Sequence, residues 1–293
     1  MIRVVLSLVL SITSLLAQRP LPSGVTMKKD LPYVENGHAR QKLDLYLPNN
    51  STKNALPMVI YIHGGAWLEG SKEQCPALDL LNHGFAVASI NYRLSQHAVF
   101  PAQIEDCKAA VRFIRAHAKE WGIDPNKVGV CGTSAGGHLV ALLGTACEEK
   151  QFEVGAHLDQ SSRPTCVCNF FGVSDLTTIH QQSDPKQSVI QHQSPTSPES
   201  KLIGGTVAEQ PEKARAASPV FYVSKDDVPM ILLHGTKDRL VPYAQSVQLH
   251  EALKKAGVAS ELHTVEGAGH GDGFGKPEQE AALRFFQKYL QQS

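Results

Sequence analysis

Short, continuously apolar runs alternate with segments of helical spacing along most of this chain, and that alternation is what most limits how it can fold. Residues 57–62, 84–90, 127–131, 165–171, 229–233 and 261–265 read as strands. Between them, residues 101–121 place Ile104, Cys107, Val111, Ile114 and Trp121 on one helical stripe. Residues 135–147, 243–255 and 277–290 read as further helices. A strand that is apolar at every position, instead of at every second one, has to be covered on both faces. The chain is therefore expected to adopt an α/β fold with a mostly parallel sheet and helices on both sides. Leu43, Leu45 and Leu47 alternate with Asp44 and Tyr46, which predicts an antiparallel N-terminal hairpin with the Tyr33 region. Residues 176–217 break the rhythm with Gln, Ser, Pro and charge. They read as a small insertion or lid after the sixth strand, over the C-terminal sheet edge where ligands bind in open α/β folds.

The N-terminus follows different rules. Arg3 precedes an apolar run over residues 4–16, then Ala17, Gln18, Arg19 and Pro20. That pattern predicts a signal peptide over residues 1–17, too short to span a bilayer, and a secreted or periplasmic product. No later segment is long and apolar enough to cross a membrane. Residues 18–293 read as a single domain, a length at which one core needs no staples. Lys and Arg together number 28, as do Asp and Glu, and no basic block stands out. A nucleic-acid partner is not expected. Cys75, Cys107, Cys131, Cys147, Cys166 and Cys168 could pair in an exported protein, but the sequence does not select a pairing. Cys131, Cys166 and Cys168 fall in apolar runs and read as small core residues. Cys166-x-Cys168 lacks zinc spacing and a second pair, so neither a metal nor a cofactor is expected.

Gly132-Thr133-Ser134-Ala135-Gly136 fits G-x-S-x-G, set between a strand and a helix. Glycines permit the tight turn that lifts a serine above a sheet edge at a helix N-terminus. A serine hydroxyl needs a base, and the base needs an orienting acid. Asp238, in His234-Gly235-Thr236-Lys237-Asp238, follows the strand 229–233, and His270, among glycines, follows the strand 261–265. Each would reach the same edge as Ser134, in the order serine, acid, histidine. Asp175 also follows a strand end and is the alternative acid, whereas Asp272 is too near His270 in sequence to orient it. His263 lies within a strand, and His138 sits one helical turn past Ser134 as a packing or capping residue. His63-Gly64-Gly65-Ala66-Trp67 follows the strand 57–62. The Gly64 and Gly65 backbone, with the N–H of Ala135, would supply donors to an oxyanion. His63 would brace this loop, and Trp67 would either wall an acyl pocket or fill the core.

These segments, with Asn91-Tyr92-Arg93-Leu94, residues 100–106 and Gly267-Ala268-Gly269-His270-Gly271, resemble the esterase/lipase branch of the α/β-hydrolase superfamily that carries an HGG oxyanion loop. Within that branch the chain is most similar to exported bacterial carbohydrate esterases of the acetyl-xylan and feruloyl esterase kind. The resemblance implies Ser134, Asp238 and His270 as catalytic triad and Gly65 and Ala135 as oxyanion donors, with Gly64 close by. It implies an ester substrate and no cofactor. The chain lacks the N-terminal cap helices of the related hormone-sensitive-lipase-like enzymes, which favours an open cleft. An amidase or peptidase on the same fold, such as a prolyl-oligopeptidase-like enzyme or an aryl formamidase, is the alternative. A silent binding module is a remoter one, since a full triad is present.

Overall fold

The computed structural model describes residues 21, 23–49 and 55–292. The signal-peptide reading of residues 1–17 lies outside them. Eight strands form one sheet: β1 (Val25–Pro32), β2 (Lys42–Pro48), β3 (Leu56–Ile62), β4 (Ala86–Ile90), β5 (Ile123–Thr133), β6 (Cys166–Phe170), β7 (Met230–Gly235) and β8 (Ser260–Val265). Their order is β1-β2-β4-β3-β5-β6-β7-β8. The β1–β2 and β2–β4 pairs are antiparallel and all the others parallel. This is the α/β-hydrolase fold expected from the sequence, including its N-terminal hairpin.

Helices α1 (Ala102–Trp121) and α2 (Ala135–Thr145) flank β5 in sequence. Three short helices, α3 (Ile179–Gln182), α4 (Pro198–Ile203) and α5 (Pro211–Ala216), lie between β6 and β7, while α6 (Ala244–Lys255) precedes β8 and α7 (Lys276–Phe286) follows it. The continuously apolar strands serve two cores. On one face Met58, Ile60, Val130 and Leu232 pack with Ile104 and Ile114 of α1, Leu139 of α2 and Leu249 of α6. On the other, Val59, Cys131, Cys166 and Cys168 pack with Phe285 and Phe286 of α7 and with the 3-10 turn Pro76–His83. All six cysteines are free thiols. Among the described residues no helix is long and apolar enough to cross a membrane.

Two segments depart from expectation. β5 begins at Ile123, ahead of the strand start expected at residue 127, and so takes in Asp124-Pro125, where the register against β3 shifts between Leu56 and Met58. A proline is tolerated at such an irregularity because no ladder donor is needed there. Residues 176–217 hold few apolar side chains, yet Leu176, Ile179, Leu202, Ile203, Ala214 and Ala217 are all buried in the main core. The polar composition marks the outer surface of a segment that is anchored at its apolar points.

The parallel pairing of β3 with β5 sets Ile62 opposite Gly132. β3 continues toward β4 and β5 toward β6, so the chain leaves the two neighbouring strands in opposite directions and a crevice opens between them. The first turn of α2 packs onto the end of β3 so tightly that a Cβ on Gly136 would lie 2.0 Å from the Ile62 carbonyl oxygen. Two backbones meet here with no room for a side chain. Gly136→Ala is expected to cost at least ~3 kcal/mol, because relief requires moving a central strand or helix. Urea unfolding would measure it, and a change below about 1 kcal/mol would contradict the packing.

Candidate active site

Ser134 occupies the turn between β5 and α2 at φ 55 and ψ −119. That conformation is strained for a residue with a Cβ. It is held from both sides: Ser134 N–H donates to Phe170 O at 2.9 Å, and His138 N–H donates to Ser134 O at 2.9 Å. The next residue, Ala135, opens α2, so its N–H has no partner within the helix and carries the positive end of the helix dipole.

The structure brings Ser134, His270 and Asp238 into one hydrogen-bonded line. Ser134 Oγ donates to His270 Nε2 at 2.8 Å, and His270 Nδ1 donates to Asp238 Oδ2 at 2.6 Å. An ionised carboxylate only accepts, so the His270 ring proton sits on Nδ1 and Nε2 is free to receive the serine proton. Asp238 is buried, and its Oδ1 accepts the N–H groups of Leu240 at 2.8 Å and Val241 at 2.9 Å. Burial alone would raise its pKa, but hydrogen bonds from His234 and His270 overcome that and hold the carboxyl well below the usual range.

Gly64 and Gly65 leave β3 beside this line. A Cβ on Gly64 would meet Ser134 Cβ at 3.2 Å and Thr133 O at 2.8 Å. Gly65 has φ +104, and a Cβ there would press into Glu69 O at 2.4 Å. Gly64, Gly65 and Ser134 are half-buried, open to solvent on one side, while Ala135 is buried. The expectation for Trp67 as an acyl-pocket wall is corrected. Its indole is 2% exposed, and its N–H donates to His138 Nδ1 at 3.2 Å. It stacks edge-on to His138 as part of the frame under the loop. His63 is buried and stacked on Tyr92, and the Tyr92 hydroxyl donates to His63 O at 3.1 Å.

The other candidates lie elsewhere. Asp175 Oδ1 accepts from Thr177 N–H and Oγ1, and its Oδ2 from Gln248 Nε2. His263 faces Glu278, and Asp272 O accepts from Gly269 N–H. Three contributors were not read from the sequence. His234 Nε2 lies 3.2 Å from Asp238 Oδ2 and 3.0 Å from Val241 O. Both are acceptors, so Nε2 carries the proton and Nδ1 accepts from Ser246 Oγ at 2.6 Å. The HG-x-x-D spacing could have flagged it, since a histidine at a strand end four residues before the acid can fold back on it. Phe171, at φ 42, packs its ring 4.6 Å from His270. Arg40 bonds His63 and Gly70 at the two ends of the loop after β3, with no motif to announce it.

The chain was compared with known proteins. A family model described as BD-FAE matches residues 43–253. Esterase LipQ of Mycobacterium tuberculosis is 30% identical over 235 residues, which cover 79% of this chain and 53% of LipQ. The chain spans about half the length of the curated relatives it matches. A truncated carbohydrate esterase from gut microbiota superposes with a TM-score of 0.84 at 32% identity, covering 91% of this chain and 97% of that one. An esterase of Thermogutta terrifontis with butyrate bound superposes with a TM-score of 0.69 at 27% identity, covering 94% and 96%.

The contacts of Asp238 make a prediction about stability. The folded protein keeps this carboxylate ionised to lower pH than the unfolded chain does. Its stabilising contribution is therefore complete above the unfolded value near about pH 4 and is lost as pH falls through the folded one. Asp238→Asn is expected to flatten the acid limb of stability below about pH 4. Unfolding curves for both proteins across that window would check it, and parallel acid limbs would refute it.

Proposed function

The chain belongs to the BD-FAE family, and from that premise we propose that it is a serine carboxylic ester hydrolase working through an acyl-enzyme. The observation that carries the reading is the line from Ser134 Oγ through His270 to Asp238, set against the half-exposed Gly64–Gly65 backbone and the N-terminus of α2. In this reading His270 Nε2 takes the Ser134 proton as Oγ attacks the ester carbonyl. The carbonyl oxygen becomes an oxyanion and accepts from the N–H groups of Gly65 and Ala135. Asp238 stabilises the imidazolium. His270 then gives the proton to the departing alcohol, and the acyl group stays on Ser134. Water, deprotonated by the same ring, attacks the acyl-enzyme, releases the acid and restores the serine.

The proposed substrates are short or aromatic acyl esters of carbohydrates. Three things support that choice: likeness to a carbohydrate esterase, likeness to an esterase that holds butyrate, and a nucleophile open to solvent beside the loop. Export after cleavage near Ala17, read from the first residues, would place the enzyme where such polymers occur. The insertion 176–217, over the same sheet edge, is proposed to shape the acyl side of the cleft.

With p-nitrophenyl acetate the wild-type chain is expected to give an acyl-enzyme burst. Ser134→Ala should lower kcat by about 10⁴-fold or more, and Asp238→Asn by about 10³ to 10⁴-fold. Asp175→Asn should stay within about threefold of wild type, since its partners lie off the line. Folded wild-type protein that hydrolyses no short-chain ester would end the esterase reading. A panel of acetylated xylan, feruloyl esters, long alkyl esters and peptide amides would then rank substrates, and faster amide cleavage would favour a peptidase.

A further inference from the structure

Arg40 lies on the connection between β1 and β2, remote in sequence from every motif. It is half-buried, and its guanidinium reaches under the loop that follows β3. Nη2 donates to His63 Nε2 at 3.0 Å, Gly70 O at 3.0 Å and Asn91 Oδ1 at 3.3 Å. Nε donates to Tyr92 O at 2.8 Å. A guanidinium has donors and no acceptor. Nε2 of His63 is therefore the unprotonated nitrogen, and the ring proton sits on Nδ1. Nδ1 lies 2.6 Å from Gly64 O and donates to it. Burial, with the Arg40 charge adding to it, lowers the His63 pKa to about 3, so the ring stays neutral at working pH.

The peptide joining Gly64 to Gly65 is trans, the cis bond among the described residues being Phe100–Pro101. In a trans peptide the N–H points opposite to the C=O. Gripping Gly64 O on the inner side thus turns the Gly65 N–H outward. Inside the loop Gly65 O accepts from the N–H groups of Leu68 and Glu69, but Ala66 and Trp67 have φ 55 and 57 in succession, which is strained for residues with a Cβ and leans on contacts from outside. With the proton on Nε2 instead, that N–H would face the guanidinium, and the Nδ1 lone pair would face the lone pairs of Gly64 O. Both contacts would be repulsive, and the peptide would have reason to flip.

We propose that Arg40 is a positioning residue for the oxyanion loop: it fixes the His63 tautomer and, through it, the direction of the Gly65 N–H. The inference rests on the esterase reading above. Arg40 touches neither Ser134 nor a reacting atom and acts through His63. A water at the same place could donate or accept and would leave the tautomer free. A lysine could keep the charge but not the fork that joins His63, Gly70 and Tyr92.

The test compares wild type with Arg40→Met and Arg40→Lys, on p-nitrophenyl acetate and on a trifluoromethyl ketone that forms an oxyanion on the serine. For Arg40→Met, kcat is expected to fall about tenfold to 100-fold with KM within about twofold, and ketone affinity to fall by the same factor as kcat/KM. Arg40→Lys should recover part of both losses. Nitrogen-15 NMR of the ring should show His63 as Nδ1–H in wild type and a mixture in Arg40→Met. Unchanged kcat, equal losses of substrate and ketone binding, or an unaltered tautomer would overturn the proposal. If Arg40→Met does not fold, Arg40→Gln, whose amide can accept as well as donate, takes its place under the same criteria. An inactive wild type would fail the esterase reading; an active wild type with indifferent Arg40 variants would fail this inference alone.

Discussion

The closeness of β3 and β5 at their C-terminal ends governs the rest of the site. Ile62 and Gly132 are paired, and two residues further on Gly64 and Ser134 stand against each other. In the proposed mechanism the pairing turns two loops that share no sequence neighbourhood into one working unit, a donor loop and a nucleophile. It works only because glycine occupies the crossing points. The Gly136 backbone rests on Ile62 O, and the Gly64 backbone rests on Thr133 and Ser134. Side chains there would separate the strands by more than the tolerance of a hydrogen bond to an oxyanion.

Around that backbone contact, groups with only one hydrogen-bonding role decide where protons sit. Asp238 can only accept, so His270 presents a bare Nε2 to Ser134. Arg40 can only donate, so His63 turns its Nδ1 proton to Gly64 O. The Trp67 indole can only donate, so His138 keeps its proton on Nε2, 2.6 Å from Ala217 O. His234 faces two acceptors with Nε2 and is fixed the same way. Four imidazoles, each able to exist in two tautomers, are held in one apiece. Fixed dipoles of this kind need no reorganisation when charge develops, which is the physical basis of stabilising a transition state more than a ground state.

The fold was legible because continuous apolar strands and amphipathic helices leave few arrangements, and the line of Ser134, Asp238 and His270 because each residue falls just past a strand end. What was not legible comes from side chains that meet across the chain. Arg40 and His63 are 23 positions apart and Trp67 and His138 are 71 apart, with no spacing rule linking either pair. Trp67 was read as either a pocket wall or a core residue, because an aromatic residue after such a loop can serve either purpose. Only its burial decides for the frame. The anchoring of segment 176–217 was not legible because six buried side chains among many polar ones leave no periodic pattern.

In the proposed enzyme that segment also bears on how specificity and catalysis would be joined. It ends at Ala217, whose carbonyl accepts from His138, while His138 accepts from Trp67, two residues past Gly65. The insertion is thus tied by two successive hydrogen bonds to the far end of the same loop that Arg40 and His63 hold at its near end. Ser134 meets that chain through the backbone: His138 N–H donates to Ser134 O from the first turn of α2, and Ser134 N–H donates to Phe170 O. A sequence change in the insertion that displaced Ala217 would act on His138, which is bonded to Trp67 by its side chain and to Ser134 by its backbone. In the proposed mechanism the backbone donors and the nucleophile would both feel that displacement, and a shift of a few tenths of an ångström already weakens a hydrogen bond.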